Sequence, residues 1–173
     1  MSRPRHPPLV ADEATTLVGF LEHYRATLRR QCEGLSVEQL ETRLGPSTLT
    51  LGALLKHLAL MENYWFCHVL AGVDETEPWA SADWDADPDW EMTSAAGASP
   101  EELRRLYDAE VAAADQAIRD TLAAEGVDTI AARPRHGEPV SLRWILVHMI
   151  EEYARHCGHA DLIRESVDGA VDL

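Results

Sequence analysis

Residues 142–163 carry apolar side chains at helical spacing, and the same stripe also carries ionisable residues. At about 100° per residue, four ionisable side chains fall within roughly a quarter of the helix circumference. They are His148, Glu152, His156 and His159, and they share that arc with Leu142, Ile145, Met149 and Ile163. A carboxylate and three imidazoles on a core-facing stripe are costly to bury unless something compensates them. A bound metal ion would compensate all of them at once.

Three further segments with helical periodicity predict an all-α protein. The first begins with Asp12 and Glu13, which suit a first helical turn, and ends at a glycine. The second starts with Thr50 as a cap, and the third starts with Ser99 followed by a proline. Ser141 caps the fourth helix, which contains the ionisable stripe. Four helices with apolar stripes most simply form a four-helix bundle, and such bundles build metal sites from inward-facing residues.

A long irregular connection, residues 73–98, separates the second and third predicted helices. It contains Trp79, Trp84 and Trp90 among acidic residues. A loop of this length inside a compact domain is usually either functional or disordered.

Length and composition predict one domain over residues 12–167, with a flexible segment 1–11 and a tail 168–173. The 173 residues are 46% hydrophobic, enough for a real core. The formal net charge of −15 argues against a nucleic-acid backbone or an anionic membrane as partner. The three cysteines are widely spaced and suggest neither a disulfide framework nor a thiolate zinc site. With no signal-like or membrane-length apolar segment in the sequence, a cytoplasmic protein is expected.

The best ligand pair is Glu152 with His156, which lie four residues apart on one helix face. Their side chains, about 6 Å apart along that face, can reach one cation. The same spacing also suits a buried, hydrogen-bonded Glu–His pair without metal. His57, on a largely apolar face of the second helix, is the best third ligand, although a lone histidine there is often a core residue. Cys157 faces away from the ligand stripe and is interpreted as a packing residue.

Two histidines and one glutamate with an open position suit Zn²⁺, Ni²⁺, Fe²⁺ or Mn²⁺, of which zinc is the commonest choice. An open position indicates a Lewis-acid or nucleophile-activating role. The sequence contains no Ser-His-Asp arrangement, phosphate loop or dinucleotide fingerprint that would compete with this site. No catalytic residue is predicted beyond the metal centre.

Residues 48–66 (TLTLGALLKHLALMENYWF) and 141–165 (SLRWILVHMIEEYARHCGHADLIRE) resemble the DinB-like superfamily, and more narrowly the actinobacterial branch that includes mycothiol S-transferases. The resemblance covers nearly the whole chain. It implies an up-down-down-up four-helix bundle that holds a divalent metal through His57, Glu152 and His156. Most relatives have histidine at the position of Glu152, but the mycothiol-dependent maleylpyruvate isomerase site is similar to the arrangement here.

The resemblance also suggests roles for residues around the ligands. His159 falls where many relatives carry glutamine and is expected to line the pocket or support a ligand. His148 is either an alternative ligand or an orienting partner. Tyr64, Trp65 and Tyr153 are candidate pocket walls, although such residues more often belong to the core or to an interface. Arg25, Arg143 and Arg155 are candidates for binding the thiol's carboxylate, although surface arginines without that role are the simpler interpretation.

The function implied by the resemblance is conjugation of a low-molecular-weight thiol, mycothiol in actinobacteria, to an electrophile. The metal would lower the pKa of the thiol, and the thiolate would attack the electrophile in a detoxification reaction. Two other classes stay open: a metal-dependent hydrolase or mycothiol-dependent isomerase on the same site, and a non-catalytic metal-binding stress protein. A homodimer is expected by resemblance.

Overall fold

The computed structural model describes residues 6–171. In chain order its helices are α1 (Glu13–Cys32), α2 (Val37–Leu40), α3 (Leu51–Glu62), α4 (Trp90–Thr93), α5 (Pro100–Ala124) and α6 (Leu142–Asp168). A π-helical segment, Asn63–Leu70, continues α3, and a 3₁₀ turn, Gly126–Asp128, follows α5. Among these residues there are two isolated β-bridges and no strand. The predicted all-α class is confirmed.

The helices begin where the sequence supplies capping side chains. Asp12 accepts a hydrogen bond from the backbone N–H of the third helical residue of α1, and Thr50 and Ser141 do the same for α3 and α6. Ser99 and Glu102 form a capping box at the start of α5, with proline in its first turn. Each cap satisfies a backbone N–H that has no partner within the helix, so these starts are set by local chemistry.

The long helices pack around one core. The most extensive contacts join α1 to α6 and α3 to α5, and α3 also packs against α6. The core between them is built mainly from leucine together with other aliphatic, methionine and aromatic side chains, among them Leu21, Leu28, Leu54, Leu58, Phe66, Ile145 and Met149. The α3–α6 contact brings the apolar face of the second predicted helix against the ionisable stripe of the last. The up-down-down-up order of a bundle stays a prediction.

The second predicted helix is present, but its last eight residues are π-helical. The backbone N–H of Ala71 donates to the carbonyl of Phe66, five residues earlier, at 3.1 Å. A π-turn is wider than an α-turn, so side chains after Glu62 no longer follow the α-helical stripe. His68 stacks on Tyr64 and contacts Arg133, away from the α6 stripe.

The connection between α3 and α5 is packed onto the helices as a series of turns with the short helix α4. Trp79 is fully buried, and its indole N–H donates to Glu110 of α5 at 2.9 Å. Trp90 lies edge-on to both Trp79 and Trp84. α4 itself packs against α3. The connection is therefore held by side chains at both of its helical neighbours.

The domain boundaries stay a prediction. Residues 1–5 of the expected flexible segment and residues 172–173 of the expected tail lie outside the described residues. Within the described part, His6 stacks on His23 of α1, and Pro7 packs against Gly19. None of the helices within residues 6–171 is long and apolar enough to cross a membrane.

Candidate metal centre

His57, Glu152 and His156 meet where α3 packs against α6. The His57 Nε2 atom lies 3.3 Å from Oε1 of Glu152, and the His156 Nε2 atom lies 3.4 Å from the same oxygen. The three donor atoms lie within 4.8 Å of one another. The i, i+4 spacing on α6 aligns two of these side chains, and the packing of α3 supplies the third. Two imidazoles and one carboxylate at this separation form a donor set that suits Zn²⁺ and related divalent ions.

The charges within this donor set are already adjusted to one another. Burial disfavours the imidazolium of His57, but hydrogen bonds to Glu152 and Glu91 outweigh burial and raise its pKa to about 9. Hydrogen bonds from His156 and His57 hold the pKa of Glu152 well below its usual range, against the opposing effect of burial. Glu152 is therefore ionised at neutral pH. When no metal ion is bound, the protonated ring of His57 balances the negative charge of this carboxylate.

Glu91 is part of the site and was not among the residues identified from the sequence. Its Oε1 lies 3.0 Å from Nδ1 of His57, on the other side of the ring from Glu152. Glu91 lies on α4 and is buried. No motif or spacing marks it in the sequence, because its place depends on how the connection folds over α3. The one available signal was the position of an acidic residue directly after Trp90 in a long loop.

His148 and His159, the other two members of the α6 stripe, take different positions. Nδ1 of His159 lies 3.4 Å from Nδ1 of His156. His159 therefore contacts the nitrogen of His156 that does not face Glu152. His148 stacks on Trp144 with ring centroids 5.0 Å apart and lies edge-on to Trp65 at 4.7 Å. The structure thus places His148 in an aromatic cluster and outside the group of three donors.

All three predicted wall residues pack in or against the hydrophobic core. Tyr64 is half-buried and Trp65 is buried, and they pack edge to face beyond the donor set along the same helix. Tyr153 is fully buried and donates its hydroxyl hydrogen bond to Glu62 at 2.6 Å. Tyr153 is therefore a core residue, which was the alternative to a pocket wall. Tyr153 follows Glu152 by about 100° of helical rotation, which turns its side chain into the core.

The arginine interpretations also change. Arg25 is fully buried, and its Nε donates to Glu62 at 2.7 Å. It also pairs with Asp115 of α5 at 2.7 Å. It is therefore neither a surface residue nor free to bind a substrate carboxylate. Arg143 pairs with Glu13 and Asp128, and Arg155 pairs with Glu151, all at the surface.

A cavity of about 550 Å³ lies beside the site, between α2, α4 and the first turn of α3. Its polar lining includes Arg43, Thr48, Thr50 and Asp89. Ala53, one turn before His57, and Met92, which follows Glu91, also line it, but none of the three donors does. The cavity therefore lies about one turn of α3 away from His57 and does not include the three donors.

Comparison with known proteins identifies the family. A solved structure described as a conserved protein from Enterococcus faecalis has the same fold, with a TM-score of 0.69 and 18% sequence identity over 93% of this chain and 100% of that chain. No curated protein matches the chain. The sequence matches the family described as mycothiol-S-transferase over residues 16–169. The chain therefore belongs to the mycothiol-S-transferase family, within the DinB-like superfamily.

Proposed function

We propose that this protein is a divalent-metal-dependent S-transferase that joins a low-molecular-weight thiol, mycothiol, to an electrophile. The observation that carries the proposal is the convergence of His57, Glu152 and His156 from two helices, with donor atoms within 4.8 Å of one another. Family membership supports mycothiol as the thiol. Zinc is the proposed ion because two imidazoles and a carboxylate are common zinc ligands.

The donor set fits a divalent ion with a free coordination position. A tetrahedral ion takes four ligands, and the chain brings together three. One carboxylate and two neutral imidazoles around a divalent ion would leave a net charge of about +1 at the site. An ion bound there would supply the Lewis acidity that lowers the pKa of a thiol and so provides thiolate at neutral pH. The three residues would hold the ion, and a fourth coordination position would remain for a thiol or a water molecule.

The thiol has to come from outside the chain. Burial raises the pKa of Cys32 and of Cys157 to about 12. Burial also raises the pKa of Cys67 to about 11, with a smaller contribution from Glu110 and Glu62. Burial therefore disfavours the thiolate form of all three cysteines at neutral pH. A soluble thiol co-substrate is the remaining source.

The test supplies zinc-loaded protein with mycothiol and a chlorodinitrobenzene and follows the absorbance of the S-conjugate. We expect conjugate formation with the wild-type protein, loss of that activity on treatment with a chelator, and recovery when zinc is restored. In His57→Ala the rate should fall to that of the uncatalysed reaction, whereas His136→Ala, a change at an exposed histidine, should keep the wild-type rate.

Three outcomes would replace the proposal. Turnover of an ester or amide substrate without any thiol would indicate a hydrolase. Rearrangement of a substrate with mycothiol recovered unchanged would indicate an isomerase. Stoichiometric zinc with neither reaction would indicate a non-catalytic metal-binding protein, and equal zinc content in the wild type and His57→Ala would exclude this donor set.

A further inference from the structure

The connection between α3 and α5 places a buried carboxylate next to the candidate metal centre. Glu91 is only 7% exposed, although it lies in a helix of four residues within a long connection. Burying a carboxylate is costly unless a partner compensates its charge. One of its oxygens, Oε1, contacts Nδ1 of His57 at 3.0 Å. The other, Oε2, is buried without a hydrogen-bond partner among residues 6–171.

The two nitrogens of His57 have different neighbours. Nδ1 contacts Glu91, and Nε2 contacts Glu152 at 3.3 Å within the donor set. A neutral imidazole has one protonated nitrogen and one nitrogen with a free lone pair. A hydrogen-bond acceptor beside one nitrogen keeps the proton on that nitrogen. When a metal ion takes the place of the Nε2 proton, His57 would be neutral, and a carboxylate at Nδ1 would keep the remaining proton there and leave the Nε2 lone pair for the ion.

We propose that Glu91 is a positioning residue of the metal centre. Its carboxylate accepts the Nδ1–H hydrogen bond of His57, fixes the tautomer and orientation of the ring, and thereby presents Nε2 to the ion. The proposal rests on the metal-binding part of the function proposed above, and it is independent of which reaction follows. It also gives the long connection a chemical role, because that segment carries Glu91.

The backbone that carries Glu91 is held in place by the residue before His57. Nζ of Lys56 donates to the Ser94 hydroxyl at 2.7 Å and to the Ser94 carbonyl at 3.2 Å. The same ammonium group lies over the ring of Trp90, 4.3 Å from its centroid. Lys56 thus contacts both ends of α4, and His57 contacts its middle. Two consecutive residues of α3 fix the helix that carries the carboxylate.

A second attachment holds the connection from the opposite side. Glu110 of α5 accepts the indole N–H of Trp79 through one oxygen and the amide N–H of Asn63 through the other, both at 2.9 Å. Trp79 lies edge-on to Trp90. Contacts to α3 and α5 therefore fix the position of Glu91. A residue that orients the ring of His57 needs to be held in place in this way.

The test compares zinc affinity in Glu91→Ala, Glu91→Gln and the control Glu75→Gln, by competition with a chromophoric chelator. Glu75 is an exposed acidic residue of the same connection, so its variant makes the same change of charge without contacting His57. We expect Glu91→Ala to bind zinc about 10- to 100-fold more weakly than the wild type. Glu91→Gln should lose less, because a carboxamide oxygen still accepts the Nδ1–H bond, and the control should match the wild type.

A spectroscopic readout separates positioning from a general effect on folding. In zinc-loaded wild-type protein, ¹⁵N-detected NMR of the His57 ring should show a proton on Nδ1 that exchanges slowly with water. Glu91→Ala should speed that exchange, and Glu91→Gln should slow it again, even where both variants fold less stably. Equal zinc affinity in Glu91→Ala and Glu75→Gln, or a proton on Nε2 of His57, would overturn the positioning role. Wild-type protein that binds zinc through His57 but transfers no thiol would overturn the proposed reaction alone.

Discussion

Glu152 lies between two imidazoles and contributes the negative charge of the donor set. Its Oε1 is 3.3 Å from His57 and 3.4 Å from His156, so one atom contacts both partners. A carboxylate neutralises one of the two charges of a divalent ion, whereas an imidazole neutralises none. In the proposed reaction, the residue at position 152 would therefore set how strongly a bound ion attracts electrons from a thiol.

We predict that Glu152→Gln greatly weakens metal binding, whereas Glu152→His largely preserves it. A neutral carboxamide is a poor zinc ligand, so Glu152→Gln should weaken zinc binding by at least about 100-fold. This loss is larger than the one typical of a residue that only hydrogen-bonds to a ligand. Glu152→His should keep zinc affinity within about tenfold and lower the pH at which thiol transfer begins, because the ion keeps more of its charge. Zinc competition and the pH profile of transfer measure the two effects.

The neighbouring glutamate provides the control for this prediction. Glu151 is half-exposed and pairs with Arg155 at the surface, so Glu151→Gln removes the same charge one residue away from the donor set. Equal zinc affinity in Glu152→Gln and Glu151→Gln would mean that Glu152 is not a ligand.

Single residues were predictable where their role follows from position on one helix. The spacing of Glu152 and His156 predicts that they share a face, and the packing residue Cys157 follows from the same geometry. Glu91 and Arg25 were not predictable in this way. Glu91 reaches His57 across 34 positions of sequence, and Arg25 reaches Glu62 across 37. A buried charge is compatible with the core only through such distant partners, and periodicity within a segment carries no information about them.

At the scale of elements, a buried polar network joins α1, α3 and α6 next to the donor set. Arg25 of α1 and the hydroxyl of Tyr153 of α6 both donate to Glu62, the last residue of α3. The hydroxyl of Tyr107 on α5 lies 2.8 Å from that of Tyr153. Glu62 is also where the α-helix changes to a π-helix. These contacts fix how α3 and α6 lie against each other, and so fix the separation of the ligands they carry.

We predict that Arg25→Met strongly destabilises the protein. The substitution leaves the buried Glu62 carboxylate without its cationic partner, and breaking a buried ion pair typically costs about 3–5 kcal/mol. Urea unfolding of chelator-treated protein measures the free energy of unfolding without any contribution from metal. Arg119→Met, at an exposed position of α5, should change that free energy by less than about 0.5 kcal/mol. A similarly small change in Arg25→Met would show that the buried network contributes little.

The helices themselves follow closely from local sequence, and their departures from it have a physical reason. Asp12, Thr50, Ser99 and Ser141 each cap the helix that they were predicted to begin. The π-helix was not predicted, because its residues have the same apolar content as an α-helix and differ only in hydrogen-bond register. The short helix α4 was not predicted either, since its place depends on contacts to α3.

At the scale of the whole molecule, a metal ion that binds the folded chain through residues on two helices should also stabilise it. Binding to the native state alone adds about 2.7 kcal/mol when free zinc is at 100 times its Kd. For a domain of this size that corresponds to roughly 5–11 °C in Tm. We expect this increase in the wild type by calorimetry with zinc against chelator, and no increase in His57→Ala. An equal increase in both would place the stabilising ion elsewhere on the molecule.

The donor set combines residues that are far apart in the sequence, so it can form only after these parts of the chain have come together. His57 and Glu152 are 95 positions apart, so the contact between them closes most of the domain into one loop. Closing such a loop costs chain entropy that helix formation alone does not recover. A ribosome-bound chain that has made α3 but not yet α6 lacks two of the three donors. In the proposed function, a metal ion would therefore bind to this donor set only after most of the chain has folded.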